Sequence, residues 1–179
     1  QDQKGGLLEK IRYADGTEEA FTYDANGNLE THTLATGFVL TYGYDSMDRI
    51  VEIMGSEGER KSYTYDALGN VTSMTDGEGN TTWYAYTLSG QLAKVTDALG
   101  YSMAYAYNQK DILASETDAA GHTLTYEYNA MNQLTSMMKD VTVNGQVLTP
   151  HVGFGYVNDR LSVIAQNDFI YNMAYDSFG

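Results

Sequence analysis

The amino-acid sequence predicts an all-β fold of tandem 21-residue β-hairpin repeats, forming a coiled antiparallel β-sheet that is a β-solenoid or partial β-shell. Three columns of residues carry this expectation. Tyr23, Tyr44, Tyr65, Tyr86, Tyr107 and Tyr128 recur every 21 residues without a slip. Leu29, Ile50, Val71, Leu92, Leu113 and Leu134 keep the same phase, as do Gly16, Gly37, Gly58, Gly79, Gly100 and Gly121. Each unit of such an array buries its apolar side on its neighbours, so length reports repeat number rather than domain number. The 179 residues read as a single array over 1–179 of about eight repeats, the first and last incomplete.

Residues 63–83 serve as the type unit. Tyr63-Thr64-Tyr65 opens it as a strand, because Tyr and Thr suit a pleated surface. Asp66-Ala67-Leu68-Gly69-Asn70 follows as a turn, in which Asp supplies an Asx acceptor and Gly a positive φ. Val71-Thr72-Ser73-Met74-Thr75 is the second strand, and Asp76-Gly77-Glu78-Gly79-Asn80 the second turn, before Thr81-Thr82-Trp83 starts the next unit. No window holds apolar residues at helical spacing between the glycines.

Within the first strand Tyr63 and Tyr65 share a face, and the same parity recurs as Tyr42 with Tyr44, Tyr84 with Tyr86, Tyr105 with Tyr107 and Tyr126 with Tyr128. The opposite parity is small or polar, which predicts one buried and one solvated face. The second strand breaks alternation: Ile50 and Ile53, like Val71 and Met74, lie three apart, which calls for a bulge. Two strands per repeat add about 10 Å of sheet at ~4.8 Å per strand.

The period breaks once. Tyr128 to Tyr156 exceeds the rule by seven residues, and the excess, over 139–151, reads as an inserted hairpin with Asn144-Gly145 as its two-residue turn and Pro150 at its end. Tyr156-Val157-Asn158-Asp159-Arg160-Leu161 is then one residue short of the standard turn. The chain begins at Gln1 without Met and stops inside a repeat, with Met173 to Gly179 matching Tyr63 to Gly69, as a piece of a longer protein would.

Composition narrows function. A net charge of −14 disfavours nucleic acid and anionic lipid as partners. There is no Cys, so disulfides, thiol nucleophiles and zinc–thiolate sites are excluded. No apolar run approaches the ~18 residues needed to span a bilayer.

Tyr65-Asp66-Ala67-Leu68-Gly69-Asn70-Val71, with Thr75-Asp76 and Gly79-Asn80 after it, resembles the YD repeat of the Rhs family. Tyr23-Asp24-Ala25-Asn26-Gly27-Asn28-Leu29 and Tyr44-Asp45-Ser46-Met47-Asp48-Arg49-Ile50 resemble it as well, and the similarity runs from Gly6 to Gly179. Later units drift, with Thr87, Asn108 and Asn129 in place of Asp, and Thr87 weakens the Asx acceptor. The family includes bacterial Rhs and wall-associated toxins, Tc toxin components and teneurins. The resemblance implies a hollow shell of spiralling hairpins that encloses a toxic C-terminal segment. The Pro- and Asp-rich autoproteolysis segment of such shells is not found here. Tyr23, Asp24, Gly27, Tyr44, Asp45, Tyr65, Asp66, Gly69, Tyr86, Gly90, Tyr107 and Tyr128, with the aliphatic column from Leu29 to Leu134, are then structural repeat positions.

Chemistry is harder to draw. Asp24, Asp45 and Asp66 recur at one turn position, as structural residues do. His32, His122 and His151 occupy different phases and read as surface residues with no catalytic or metal-ligating spacing. Asp76-Gly77-Glu78-Gly79-Asn80 mimics the start of a calcium loop, but its twelfth position is Thr87 rather than Glu. Trp83 has the parity opposite Tyr84 and Tyr86, so it either stacks on a ligand or covers a neighbour's backbone.

The leading expectation is a secreted or cell-surface scaffold, without enzymatic activity or cofactor, whose partners are the remaining segments of its parent polypeptide, toxin cargo among them. The alternative is an adhesive module that binds a glycan or surface protein through Trp83. An array cut between repeats exposes unpaired strand edges, which predicts self-association through its ends.

Overall fold

The computed structural model describes residues 2–4, 6–143, 146–166 and 169–175, which form strands and turns with no helix. The chain divides into two compact units, Gln1–Gly90 with Asp97–Leu99 and Gln91–Thr96 with Gly100–Gly179.

In the first unit β1 (Asp2–Lys4), β2 (Leu7–Arg12), β3 (Glu18–Tyr23), β4 (Leu29–Thr33), β5 (Val39–Tyr44), β6 (Ile50–Gly55), β7 (Arg60–Tyr65), β8 (Val71–Thr75) and β9 (Thr81–Tyr86) form an antiparallel meander, each pairing with the next. The second unit repeats the pattern. Its strands are β10 (Leu92–Thr96), β11 (Ser102–Tyr107), β12 (Leu113–Thr117), β13 (Thr123–Tyr128) and β14 (Leu134–Lys139), followed by β15 (Val141–Val143), β16 (Gln146–Leu148), β17 (His151–Val157), β18 (Arg160–Gln166) and β19 (Phe169–Asn172). The meander passes from β14 directly to β17, and β15 pairs only with β16 in a separate two-stranded sheet.

The inserted hairpin therefore stands in place of a turn. Lys139 N donates to Pro150 O at 3.1 Å, so the chain leaves and returns at one rung, and the pairing of Met138 with His151 proceeds beside it. Asn144 and Gly145, its expected turn, lie outside the described residues, as do Asp176 to Gly179 of the incomplete last repeat. The short turn at Tyr156 also has a simple form. Val157 pairs with Arg160, and Asn158 and Asp159 both take positive φ (51° and 62°), the geometry of a two-residue type I′ turn.

The bulge expected in the second strand is present opposite Tyr23, Tyr44, Tyr65, Tyr107, Tyr128 and Tyr156. Tyr44 pairs with Ile50 but Gly43 with Glu52, so Val51 is the extra residue; Tyr65 with Val71 and Thr64 with Ser73 leave Thr72 extra in the same way. The extra residue turns Ile50 and Ile53 toward one face.

The bulge has a second effect. Pairing of β4 with β5 stops at Thr31 opposite Thr41, short of Leu29, so the Leu29 carbonyl is outside that ladder. The Tyr44 hydroxyl donates to it at 2.8 Å. The same tie joins Tyr23 to Leu8 O, Tyr65 to Ile50 O, Tyr86 to Val71 O, Tyr107 to Leu92 O and Tyr128 to Leu113 O, each across fifteen residues and at 2.5–2.8 Å. The tyrosine and aliphatic columns are donor and acceptor of one bond.

One expectation is corrected. Among the described residues no side chain is fully buried, so the predicted contrast between a buried and a solvated face is muted. Among the described residues each strand packs only against its hydrogen-bonded neighbours, and no second layer of strands covers either face. The tyrosine face is half-covered by its own side chains, while Thr22, Thr64, Trp83 and Ala85 on the other are exposed.

Two outcomes follow for the tyrosine tie. Tyr65→Phe should lower unfolding free energy in urea by about 1 kcal/mol, while Tyr63→Phe, whose hydroxyl makes no hydrogen bond among the described residues, stays within about 0.5 kcal/mol of the parent. Burial raises the Tyr44, Tyr65 and Tyr86 hydroxyls above the ordinary phenol value. Their contribution is thus complete below that value and is lost as pH rises through the folded one, measurable as a falling thermal midpoint above pH ~10.

Candidate functional site

The Tyr-Asp turns form one rim of the sheet and are built alike. Gly27 N donates to Asp24 O and Asp24 N to Asn28 O, closing a type I turn followed by a residue in the left-handed region. Asp24 Oδ1 accepts from Asn26 N (2.9 Å) and Asn28 N (2.8 Å). Asp45 and Asp66 receive the same pair of amides, and so do Asn108 and Asn129, whose side-chain oxygen replaces the carboxylate. Asp76 and Asp118 build the identical loop on the other turn of the repeat. Asp76 is thus spent on Glu78 N, Asn80 N and the Asn80 amide rather than poised for a cation. At Thr87 the backbone turn persists, with Gly90 N donating to Thr87 O, and the Thr87 hydroxyl pairs with Ser89.

The left-handed position is held by Gly27, Gly69 and Gly90 in some repeats and by the non-glycines Asp48, Asp111 and Asn132 in others. Asp and Asn tolerate this conformation better than other side chains. They also reach sideways: Asn28 and Asn26 donate to Asp48 Oδ1 (2.7 and 3.1 Å), and Lys110 donates to Asn132 Oδ1 (2.9 Å). Arg49 holds its own Asp45, donates to Asp66 O at 3.0 Å and lies 4.6 Å from the Tyr65 ring centre. Successive turns are therefore linked side by side, which the 21-residue columns alone do not show.

Asp24, Asp45, Asp66, Asp76 and Asp118 are held below the ordinary carboxylate range by this hydrogen bonding. The Asn28 amide is the main cause at Asp24, the Arg49 side chain at Asp45, the Asn70 and Asn80 side chains at Asp66 and Asp76, and the His122 amide at Asp118.

Two ionisable groups stand on the tyrosine face where other repeats are aliphatic. Nine residues after each column tyrosine come His32, Ile53, Met74, Val95, Glu116 and Met137. His32 is corrected from a surface residue to a half-covered one. It stacks on Phe21 (4.4 Å, 18°), and its Nε2 lies 2.9 Å from Glu19, which also accepts from the Tyr13 hydroxyl at 2.9 Å. The His32 bond, then Tyr13, lowers the Glu19 carboxyl. Glu116 accepts from the Tyr126 hydroxyl at 2.8 Å; burial first, and then this bond, pushes that phenol up to about 12. The signal was available in that column, but the partners Glu19, Tyr13 and Tyr126 depend on strand register. His122 is half-exposed in its turn beside Asp118, and His151 is exposed. Trp83 is 49% exposed and stands on the face away from the tyrosines. Among the described residues no three His, Asp or Glu come together as a metal site.

Hairpins joined by Asx turns and tied by a tyrosine to the preceding carbonyl define a YD-repeat array. The chain belongs to the teneurin YD-shell family, which residues 2–107 match, while residues 113–147 match the RHS repeat. Among solved structures, the fold is similar to a region of the Photorhabdus luminescens Tc holotoxin pore, with 19% identity and a TM-score of 0.70 over 89% of this chain and 10% of that one. A TcdB2–TccC3 structure gives 18% and 0.71 over the same shares, and TcdB2–TccC3 without its hypervariable C-terminal region gives 14% and 0.60 over 96% of this chain and 11% of that one. This chain thus spans about a tenth of the chains it resembles. No curated protein matches it.

Acid should test the turns. Lowered carboxyls contribute stability that is complete above the ordinary carboxylate value and is lost as pH falls through the folded one. The thermal midpoint is expected to hold from pH 7 to about 5 and fall below about 4. Asp66→Ala should lower the neutral-pH midpoint more than Asp66→Asn, because Asn keeps the acceptor that Asn108 and Asn129 use.

Proposed function

We propose that this chain is a non-enzymatic wall segment of a secreted or cell-surface YD shell, a single array over 1–179 that encloses or presents another segment of a larger polypeptide. The observation that carries the reading is the spending of side chains on structure. The tyrosine hydroxyls hold backbone carbonyls, and the recurrent Asp residues hold turn amides. Neither column is left as a nucleophile or a base. The similarity to short stretches of much longer toxin chains supports the same reading. Open strand ends supply the means of joining further segments, and of self-association in the isolated chain.

The test is protection from protease in the full-length polypeptide. The segment following the array should resist cleavage while the array is folded, and become sensitive in a variant carrying Tyr44→Phe, Tyr65→Phe and Tyr86→Phe together. Equal cleavage in both would overturn the enclosing role.

The exposure of Trp83 favours a second reading, adhesion to a glycan or surface protein. Trp83 fluorescence titrated with cell-wall glycans decides it: a saturable shift abolished in a Trp83→Phe variant followed by tyrosine emission would support adhesion, and no shift would leave the wall reading alone.

A further inference from the structure

The turns at Asn108 and Asn129 depart from the rest of their rim. Asp24, Asp45 and Asp66 hold this position in the first unit, and an amide replaces the carboxylate in these two adjacent turns of the second. Three residues after each column tyrosine stand Asn26, Met47, Leu68, Ser89, Lys110 and Met131, so Lys110 is the one cation in that series. Turn geometry does not account for the change to amides, since Asp and Asn receive the same backbone N–H groups. The substitutions meet at an open hollow of about 350 Å³ where the tyrosine face reaches the rim, bordered by Asn108, Lys110, Asn129 and Asn132 together with Tyr126 and Tyr128. Ala114, the extra residue of its bulge, also borders it and adds only a methyl group.

We infer that this hollow binds a carboxylated sugar, a hexuronate unit of an acidic polysaccharide. The inference rests neither on enclosure of another segment nor on adhesion through Trp83.

Donors and acceptors decide the class of guest. Backbone amides and ammonium groups only donate, so each asparagine oxygen must face the group it serves. Asn108 Oδ1 accepts from Lys110 N and Ile112 N (2.8 and 3.2 Å), Asn129 Oδ1 from Met131 N and Gln133 N, and Asn132 Oδ1 from Lys110 Nζ. The side-chain N–H groups of Asn108 and Asn132 are left without an acceptor among the described residues. Lys110, which also reaches Ala130 O at 3.4 Å, keeps a third N–H. The hydroxyls of Tyr126 and Tyr128 are occupied by Glu116 and the Leu113 carbonyl, so these residues offer their rings alone. A neutral sugar, whose hydroxyls both give and take, suits such a surplus of donors less well than a carboxylate, which only accepts. The rings give the C–H groups of a sugar an apolar surface, and Gln109, exposed at the mouth, can accept from a ring hydroxyl.

Charge points the same way. An Asp at 108 or 129 would build the turn equally well and could accept from a neutral sugar, so its replacement by Asn favours an anionic guest. Neither Asp111, the one carboxylate on the two turns, nor Glu116, held by Tyr126, borders the hollow. Charges elsewhere in this chain of net −14 are screened beyond about 8 Å at physiological salt, which leaves Lys110 and the amides to set the local field.

The test titrates the whole isotope-labelled chain with methyl glucuronide, and with methyl glucoside as its neutral counterpart, following side-chain amide signals by NMR. Saturable shifts of the Asn108 and Asn132 amides are expected, with methyl glucoside at least about fivefold weaker. Asn108→Asp restores the turn residue of the first unit and should keep the thermal midpoint. It should weaken glucuronide binding about tenfold or more, because it sets one carboxylate against another. Lys110→Gln should weaken binding about three- to tenfold. Equal affinity for the two sugars, or glucuronide binding unchanged in both variants, would overturn the proposal. So would the absence of saturable shifts at these amides. Sodium acetate binding as tightly as the glucuronide would assign the hollow to simple anions and remove the sugar from the proposal.

Discussion

A phenol hydroxyl reaching a carbonyl that strand pairing has left over is the bond on which the repeat turns. The bulge after each aliphatic residue removes its carbonyl from the ladder to the next strand, and a backbone acceptor left unpaired costs free energy comparable to a lost hydrogen bond. The tyrosine of the following repeat satisfies it through its hydroxyl. Bulge, aliphatic residue and tyrosine are therefore one requirement expressed at three positions, which explains why all three keep a strict common period. No side chain among the described residues is fully buried, so cohesion here is distributed over such ties rather than concentrated in a core.

The same logic governs the rims. An Asx loop presents two backbone amides to one side-chain oxygen, and Asp, Asn or a Thr-based variant can occupy that place without changing the path of the chain. Where glycine is replaced at the left-handed position, Asp48 and Asn132 accept hydrogen bonds from the turn beside them. A conformational liability is thereby converted into a link between repeats.

The sequence made the strands, the turns and the bulge legible because each depends on residue type at fixed spacing. Ile50 and Ile53 three apart were enough to demand the extra residue. What it did not disclose were pairings set by register. Tyr44 and Leu29 stand in two evident columns, yet only the bulged pairing brings hydroxyl and carbonyl together. His32 and Glu116 interrupt an aliphatic column that can be read directly, but Glu19 and Tyr126 are their partners only because adjacent strands align as they do. The muted burial was also invisible, since alternation marks which side chains share a face and says nothing of what lies above it. Trp83 could be assigned to its face from parity; its solvent exposure could not.

The hairpin between Lys139 and Pro150 gives this architecture a practical property. Tyr156 still reaches Leu134 O, 22 residues back instead of 15, and after the shortened turn Tyr175 still reaches Leu161 O, 14 back. Each tie senses only the rung beneath it, so chain added or removed at a rim is not felt by the rungs on either side. A foreign loop or a small folded domain whose ends lie close together can be spliced at that rung, and the sheet becomes a carrier whose insertion sites are numbered by its turns.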